Sequence, residues 1–245
     1  MPSVRTVVVS GGGTGIGRAV AGRLAARGQH VTVTGRRRAP LDQVAAGSRL
    51  IDVVTADVST VAGAESVAAS IRSSDRACAG VVAAAGGLSP AGGSGLDGIR
   101  QGWQASFESN VLSAVLLVEA LRSELAAHAG RVVLLSSVAA LRGSGGGSYG
   151  AMKAALHAWA FDLASELGSH QGTANVIAPG FVPDTEFWAG RLTDDVMAQR
   201  SGQTLVGRPG TPDEVASLVA WLLGPDGGWV TGQVLSPNGG VVLGR

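Results

Sequence analysis

Thr6-Val7-Val8-Val9-Ser10-Gly11-Gly12-Gly13-Thr14-Gly15-Ile16-Gly17-Arg18 runs a β-branched apolar stretch into a glycine cluster and out into a segment of helical period. The apolar stretch reads as a short buried strand, and the segment near 16–27 as the first helix. Between them, Gly11 allows a tight turn, Gly15 lets the backbone approach a pyrophosphate, and Gly17 permits close helix–strand contact. The helix N-terminus offers unpaired N–H groups and the positive end of its dipole to the phosphates. Ser10, Gly11, Gly13, Thr14, Gly15, Ile16 and Gly17 are therefore expected to cradle a dinucleotide.

Outward from this turn, short apolar runs alternate with helical patterns. Strands are expected at Thr6–Ser10, His30–Thr34, Leu50–Thr55, Gly80–Ala84, Arg131–Ser136, Ala174–Ile177 and Gln233–Ser236, with helices near 40–46, 60–73, 101–127, 149–168 and 212–223. That alternation predicts an α/β chain: a Rossmann-type, doubly wound, parallel seven-stranded sheet with helices on both faces. No linker or repeat divides residues 1–245, so a single domain is expected. Glycine-rich stretches at 86–98 and 143–147 follow strands and read as loops at the carboxyl edge, where open α/β sheets bind ligands.

The end of the second strand selects the dinucleotide. An acidic residue there would hydrogen-bond the ribose 2′-OH, whereas an arginine can take a 2′-phosphate. The chain reads Val33-Thr34-Gly35-Arg36-Arg37-Arg38, and no Asp or Glu precedes Asp42. NADP(H) is the expected cofactor, with Arg36 and then Arg37 as its phosphate partners.

Tyr149 is the sole tyrosine and Lys153 the sole lysine among nineteen basic residues. Their i, i+4 spacing on a helix puts the side chains one above the other. Arginine can replace lysine as surface charge but not as a compact, tunable ammonium. A phenol beside an ammonium is expected to have a lowered pKa. Tyr149 thus reads as a general acid/base and Lys153 as the residue that tunes it.

Composition bounds the rest. At 245 residues, 45% apolar and formally +1, the chain suits one sizeable core and gives no whole-molecule reason to bind nucleic acid or an anionic membrane. The single cysteine, Cys78, cannot form an internal disulfide and reads as a small buried residue. The N-terminal apolar run is too short for a signal peptide and no stretch is long enough for a membrane span, so a cytoplasmic protein is expected. No metal is expected.

Taken together, these features resemble the short-chain dehydrogenase/reductase superfamily, in its compact, ketoacyl reductase-like branch. Ser10 through Gly17 match its glycine motif with Ser in place of Thr. Asp57-Val58 match the adenine-contacting pair, Asn110 the fourth active-site residue, Ser137 the serine, and Tyr149-Gly-Ala-Met-Lys153 the Tyr-x-x-x-Lys run. Pro179-Gly180 match the segment that passes the nicotinamide, with Val182 and Thr185 following and Thr185 reaching the carboxamide. Gly207-Arg208-Pro209-Gly210 resembles the entry to the last helix. Two departures stand out. Ala83-Ala84-Ala85-Gly86 replaces Asn-Asn-Ala-Gly, with Ala84, Ala85 and Gly86 still placed beside the cofactor. The serine-to-tyrosine loop is one residue short, so counting back from Tyr149 points to Ser136 while sequence context favours Ser137.

The resemblance implies a mechanism. Hydride reaches a carbonyl carbon and Tyr149 protonates the oxygen. Ser137 holds that oxygen, Lys153 also binds the nicotinamide ribose, and Asn110 positions a water that replenishes the proton. His157 is expected to be surface or core, and Trp103, Trp159, Trp221 and Trp229 to be packing residues. Residues 181–208 are expected to form a lid that exposes Phe181, Phe187, Trp188 and Met197, with Leu88–Gly98 bordering the same pocket. Phe181, Phe187 and Trp188, with Ser137 and Tyr149, would then meet an apolar or aromatic substrate, and a polyketide or acyl-like ketone is the expectation in so arginine-, alanine- and glycine-rich a chain. The alternatives are an enoyl reductase, disfavoured by the close Tyr–Lys spacing, and a cofactor-binding regulatory protein without turnover. By analogy a homotetramer or homodimer is expected.

Overall fold

A computed structural model describes residues 4–89, 92–143 and 147–244; Pro90 and residues 144–146, in loops expected to border the site, lie outside the described residues. Seven parallel strands form one sheet: β1 (Val4–Ser10), β2 (His30–Gly35), β3 (Ile51–Thr55), β4 (Arg76–Ala83), β5 (Arg131–Leu135), β6 (Thr173–Ile177) and β7 (Val234–Leu235). Their order is β3-β2-β1-β4-β5-β6-β7. The helices are α1 (Gly15–Ala26), α2 (Arg38–Ala45), α3 (Val61–Ser73), α4 (Gly95–Phe107), α5 (Ser113–Ala120), α6 (Arg122–Ala127), α7 (Ala139–Arg142), α8 (Ser148–Gly168), α9 (Asp194–Gly202) and α10 (Pro212–Leu223).

Alternation along each strand sorts the core into two layers. Val8, Val81, Val132, Leu134 and Val176 pack with Val67 and Ile71 of α3, Leu117 of α5, and Leu156 and Leu163 of α8. Val7, Val9, Val31, Val33, Val133 and Ile177 pack on the other face with Val20 and Leu24 of α1, Leu41 of α2, and Val215 and Val219 of α10. Each such side chain contributes about 2 kcal/mol by leaving water. Cys78 lies in the first layer, where burial pushes its thiol up to about 12, so it is unreactive there.

Several expected boundaries are corrected. The 101–127 helix is in fact α4, a π-helical turn over Glu108–Leu112, then α5 and α6. Three side chains bond back to main-chain carbonyls at the π turn: Ser109 Oγ to Ser106 O at 3.3 Å, Asn110 Nδ2 to Ser106 O at 3.0 Å, and Ser113 Oγ to Ser109 O at 2.7 Å. Such back-bonding competes with the helical ladder and widens it. β4 starts at Arg76 rather than Gly80, with a register irregularity against β1 at Thr6/Val7. β5 ends at Leu135, one residue before Ser136, and β7 has only two residues. The last helix begins as its entry motif implies: Thr211 and Glu214 form a capping box with Pro212 in the first turn.

Candidate active site

The strand order reverses between β1 and β4, and the crevice at their carboxyl ends is where a doubly wound sheet takes a ligand. The turn after β1 closes only around bare backbone. A Cβ on Gly17 would stand 2.3 Å from the Gly11 carbonyl oxygen, and one on Gly11 2.8 Å from that of Ala84. Ser10 Oγ accepts a hydrogen bond from Ala85 N at 3.2 Å, fastening the β4 loop to the glycine turn. Thr14 is the N-cap of α1, but its hydroxyl does not bond the helix, and the first turn carries no acidic side chain. The N–H groups of that turn and the dipole are thus presented uncapped, which fits a nucleotide phosphate. Ile16 packs against the core below the loop.

At the end of β2, Arg36 and Arg37 are exposed. Asp57 lies near: the Ser59 hydroxyl bonded to its Oδ1 at 2.6 Å, and more weakly the charge of Arg36, hold its carboxyl below the usual range. Val58 is turned into the core, leaving only backbone for a ligand. Arg37 is engaged elsewhere. Its guanidinium meets Glu186 Oε2 at 2.5 Å, and Thr14 Oγ1 lies 3.4 Å from the same oxygen.

Tyr149 and Lys153 face one another on α8, with the ammonium 5.9 Å from the phenol ring centroid. Lys153 is 4% exposed and donates to the Leu135 carbonyl at 2.7 Å. Burial pushes its ammonium down to about 8. Ser137 is the serine near enough to Tyr149 to pull its phenol down, and its hydroxyl accepts from Ala139 N at 3.1 Å. Ser136 turns the other way, donating to Lys153 O at 2.9 Å and meeting His157 Nε2 at 2.8 Å. The geometry therefore brings Ser137, not Ser136, to the phenol. His157 is half-buried, held by that serine.

The expected lowering of the Tyr149 phenol by Lys153 is not what the fold produces. Burial raises it, against the weaker pulls of the nearby Ser137 hydroxyl and the Arg191 charge. Desolvation wins because the ring is 8% exposed and the neighbouring ammonium is itself desolvated.

Asn110 sits on the π turn, 1% exposed, clamped to Gly87 by Oδ1 from Gly87 N and Nδ2 to Gly87 O, both 2.9 Å. Gly86, at φ +136°, is the spacer between Asn110 and Lys153. A Cβ there would lie 2.6 Å from Asn110 Oδ1 and 3.1 Å from Lys153 Nζ. Gly86→Ala should therefore lower Tm, with a cost of about 2 kcal/mol from strain and overpacking. It should also reduce kcat/KM more than tenfold; thermal melts beside steady-state kinetics check both, and a neutral substitution would remove Gly86 as a required spacer.

Beyond β6, Pro179 O accepts from Val138 N at 2.9 Å, and Gly180 N donates to Pro237 O at 3.0 Å. A Gly180 side chain would strike Asn238 Cα at 2.7 Å. Val182 is buried in the second core layer. Phe181 is also buried, contrary to its expected exposure, and stacks edge-on with Trp188 at 5.0 Å. Phe187 and Trp188 are half-buried, and Phe187 covers Tyr149 with ring centroids 5.4 Å apart. Arg191 lies 4.9 Å from the Phe187 centroid. Thr185 is found over Gly15, its hydroxyl donating to Val182 O at 3.2 Å. Trp159 packs as expected, but Trp229 is 98% exposed and Trp103 and Trp221 are partly so. Sequence reasoning missed Glu186 and Arg191, whose places depend on how the segment after β6 folds back.

Over residues 11–242 the chain matches the family profile described as enoyl-(acyl carrier protein) reductase. It is 34% identical to the short-chain reductase protein NovJ of Streptomyces niveus, over 95% of this chain and 92% of that one. It is 32% identical to the 3-oxoacyl-(acyl-carrier-protein) reductase FabG of Escherichia coli, over 98% of both chains. Among solved structures, the Pseudomonas aeruginosa RhlG/NADP active-site complex superimposes with a TM-score of 0.86 at 29% identity, covering 98% of this chain and 96% of that one.

Proposed function

This chain belongs to the short-chain dehydrogenase/reductase family of oxidoreductases, and we propose that it reduces a ketone to a secondary alcohol with NADPH, or runs the reverse oxidation, with Tyr149 as general acid/base. The observation that carries this reading is the buried phenol with Ser137 and the Lys153 ammonium beside it, at the carboxyl edge that also holds the glycine turn. Its likeness to 3-oxoacyl reductases and to the RhlG/NADP complex supports it. The Tyr–Lys spacing and these relatives favour ketone over enoyl reduction, despite the name of the matching family profile.

Gly11 to Gly17, Arg36, Arg37, Asp57, Ala84–Gly86, Pro179–Val182 and Thr185 would hold the dinucleotide. The nicotinamide, when bound, supplies the hydride. The chain's own groups do the rest. Ser137 and Tyr149 hold the carbonyl oxygen by two hydrogen bonds, which fixes the ketone for attack at its carbon. The Tyr149 hydroxyl then releases its proton to the developing alkoxide. The resulting phenolate is stabilised by the Lys153 ammonium, and Asn110, clamped at Gly87, keeps a route for a replacement proton beside Lys153. Segment 181–208 acts as the lid, and its Phe187 and Trp188 suit an apolar, aromatic or acyl-like ketone.

NADPH oxidation measured against a panel of ketones tests the activity, and Arg36→Ala tests the cofactor. The substitution should raise KM for NADPH at least tenfold and leave KM for NADH within about twofold, as removal of a charge-assisted phosphate contact does. An equal effect on both cofactors would sink the assignment to NADP(H). No helix among the described residues is long and apolar enough to cross a membrane. We propose a homotetramer or homodimer, which sedimentation of the purified protein checks.

A further inference from the structure

Three consecutive lid residues touch both halves of the site. Thr185 lies over the phosphate turn, with its Cγ2 3.1 Å from where a Cβ on Gly15 would stand. Glu186 puts Oε2 2.5 Å from the Arg37 guanidinium and 3.4 Å from Thr14 Oγ1. Phe187 covers the Tyr149 ring at 5.4 Å. A carboxylate thus sits on a guanidinium and a hydroxyl at the mouth of an uncapped helix N-terminus, the arrangement of donors that suits a phosphate.

We propose that Glu186 is a latch that sets the response to the 2′-phosphate: its carboxylate occupies Arg37 until the cofactor's 2′-phosphate takes that guanidinium and frees the lid from Tyr149. This rests on the NADP(H) reading above. The pair is exposed on both sides, 62% for Arg37 and 53% for Glu186, so it is worth about fivefold or less in an equilibrium. A phosphate dianion binds an arginine fork more strongly than one carboxylate oxygen does, so the exchange runs toward the nucleotide. A dinucleotide without the 2′-phosphate has nothing to claim Arg37 and leaves the latch closed. Because Glu186 adjoins Phe187, its release also uncovers the phenol, which makes cofactor binding a precondition for the ketone.

Two readouts independent of turnover test this. The first is the dissociation constant of NADPH, NADH, adenosine 2′,5′-bisphosphate and 5′-AMP for the wild-type protein and Glu186→Gln, by calorimetry. The second is the emission of Trp188, stacked between Phe181 and Phe187 and identified by subtracting the Trp188→Phe spectrum. The expected result is a threefold to fivefold tightening of NADPH and of the bisphosphate in Glu186→Gln, with NADH and 5′-AMP unchanged within about 1.5-fold. Adenosine 2′,5′-bisphosphate should shift Trp188 emission in the wild type and 5′-AMP should not; in Glu186→Gln the shifted emission should be present without ligand. Equal tightening of all four ligands would make Glu186 a steric plug and overturn the proposal, and so would no change in any. A wild type that prefers NADH would refute the cofactor reading instead, whatever Glu186→Gln does.

Discussion

Replacing Tyr149 by phenylalanine should lower kcat about a thousandfold and leave NADPH binding within about twofold, the size of effect expected when a positioned general acid is removed. The phenol is the group that meets both Ser137 and the space under Phe187. Phenylalanine keeps the ring, its packing against Phe187 and the α8 backbone, and deletes only the proton donor. The stability cost should be no more than about 1 kcal/mol, since a single hydroxyl beside a half-exposed serine is lost. Single-turnover oxidation of bound NADPH isolates the step, and turnover that survives would remove Tyr149 as the acid. The sign of the pH dependence follows from burial. With the phenol held above its ordinary value, it stays protonated through neutral pH, so reduction should be insensitive to this group from pH 6 to 9. Alcohol oxidation needs the phenolate and should accelerate as pH rises.

What was legible in the sequence follows from which forces are local. The β1 turn, the α3, α8 and α10 patterns and the Tyr149–Lys153 pair were readable because period and glycine placement are set by near neighbours. The start of β4 was not, since Arg76-Ala77-Cys78-Ala79 lacks β-branched residues and forms a strand only because Val4–Thr6 of β1 pairs with it; β5 joins β4 only from Gly80 onward. The π turn at Asn110 is a contest between side-chain and main-chain bonding that an apolar pattern does not record. Both sequence alternatives for the serine were open until the end of β5 fixed which hydroxyl faces the phenol. The Tyr149 phenol was misjudged for a related reason: the ammonium is a neighbour in sequence, but the desolvation comes from the surrounding fold, with Phe187 of the lid covering the ring. The same long-range folding put Glu186 on Arg37, a pairing across 149 positions of chain.

Lys153→Met should separate function from stability most sharply. Lys153 is buried and its one described hydrogen bond is to a neutral carbonyl. Burial depresses its ammonium from 10.5 to about 8, which at about 1.4 kcal/mol per pH unit costs the folded protein about 3 kcal/mol at neutral pH. Methionine removes that cost but leaves the Leu135 carbonyl without its donor, a loss of about 1–2 kcal/mol. The variant should therefore unfold about 1 kcal/mol less readily than the wild type at pH 7, a rise in Tm of about 2–4 °C. The difference must shrink with alkali. Above pH 8 the folded lysine sheds its proton while the unfolded chain holds it to about 10.5, so this group's contribution to wild-type stability rises through that window. Groups common to both proteins cancel in the comparison, and by pH 10 the advantage of methionine should be gone. Activity moves the opposite way: without an ammonium to stabilise the Tyr149 phenolate, kcat should fall more than a hundredfold at pH 7, and by less above pH 8, where the wild-type lysine is itself losing its proton. Denaturant titrations at pH 7 and pH 10 beside single-turnover rates measure all three. A variant less stable than wild type at pH 7 would mean that the fold accommodates this charge without penalty. The composition would then have kept its one lysine for structure as much as for the phenol one turn away.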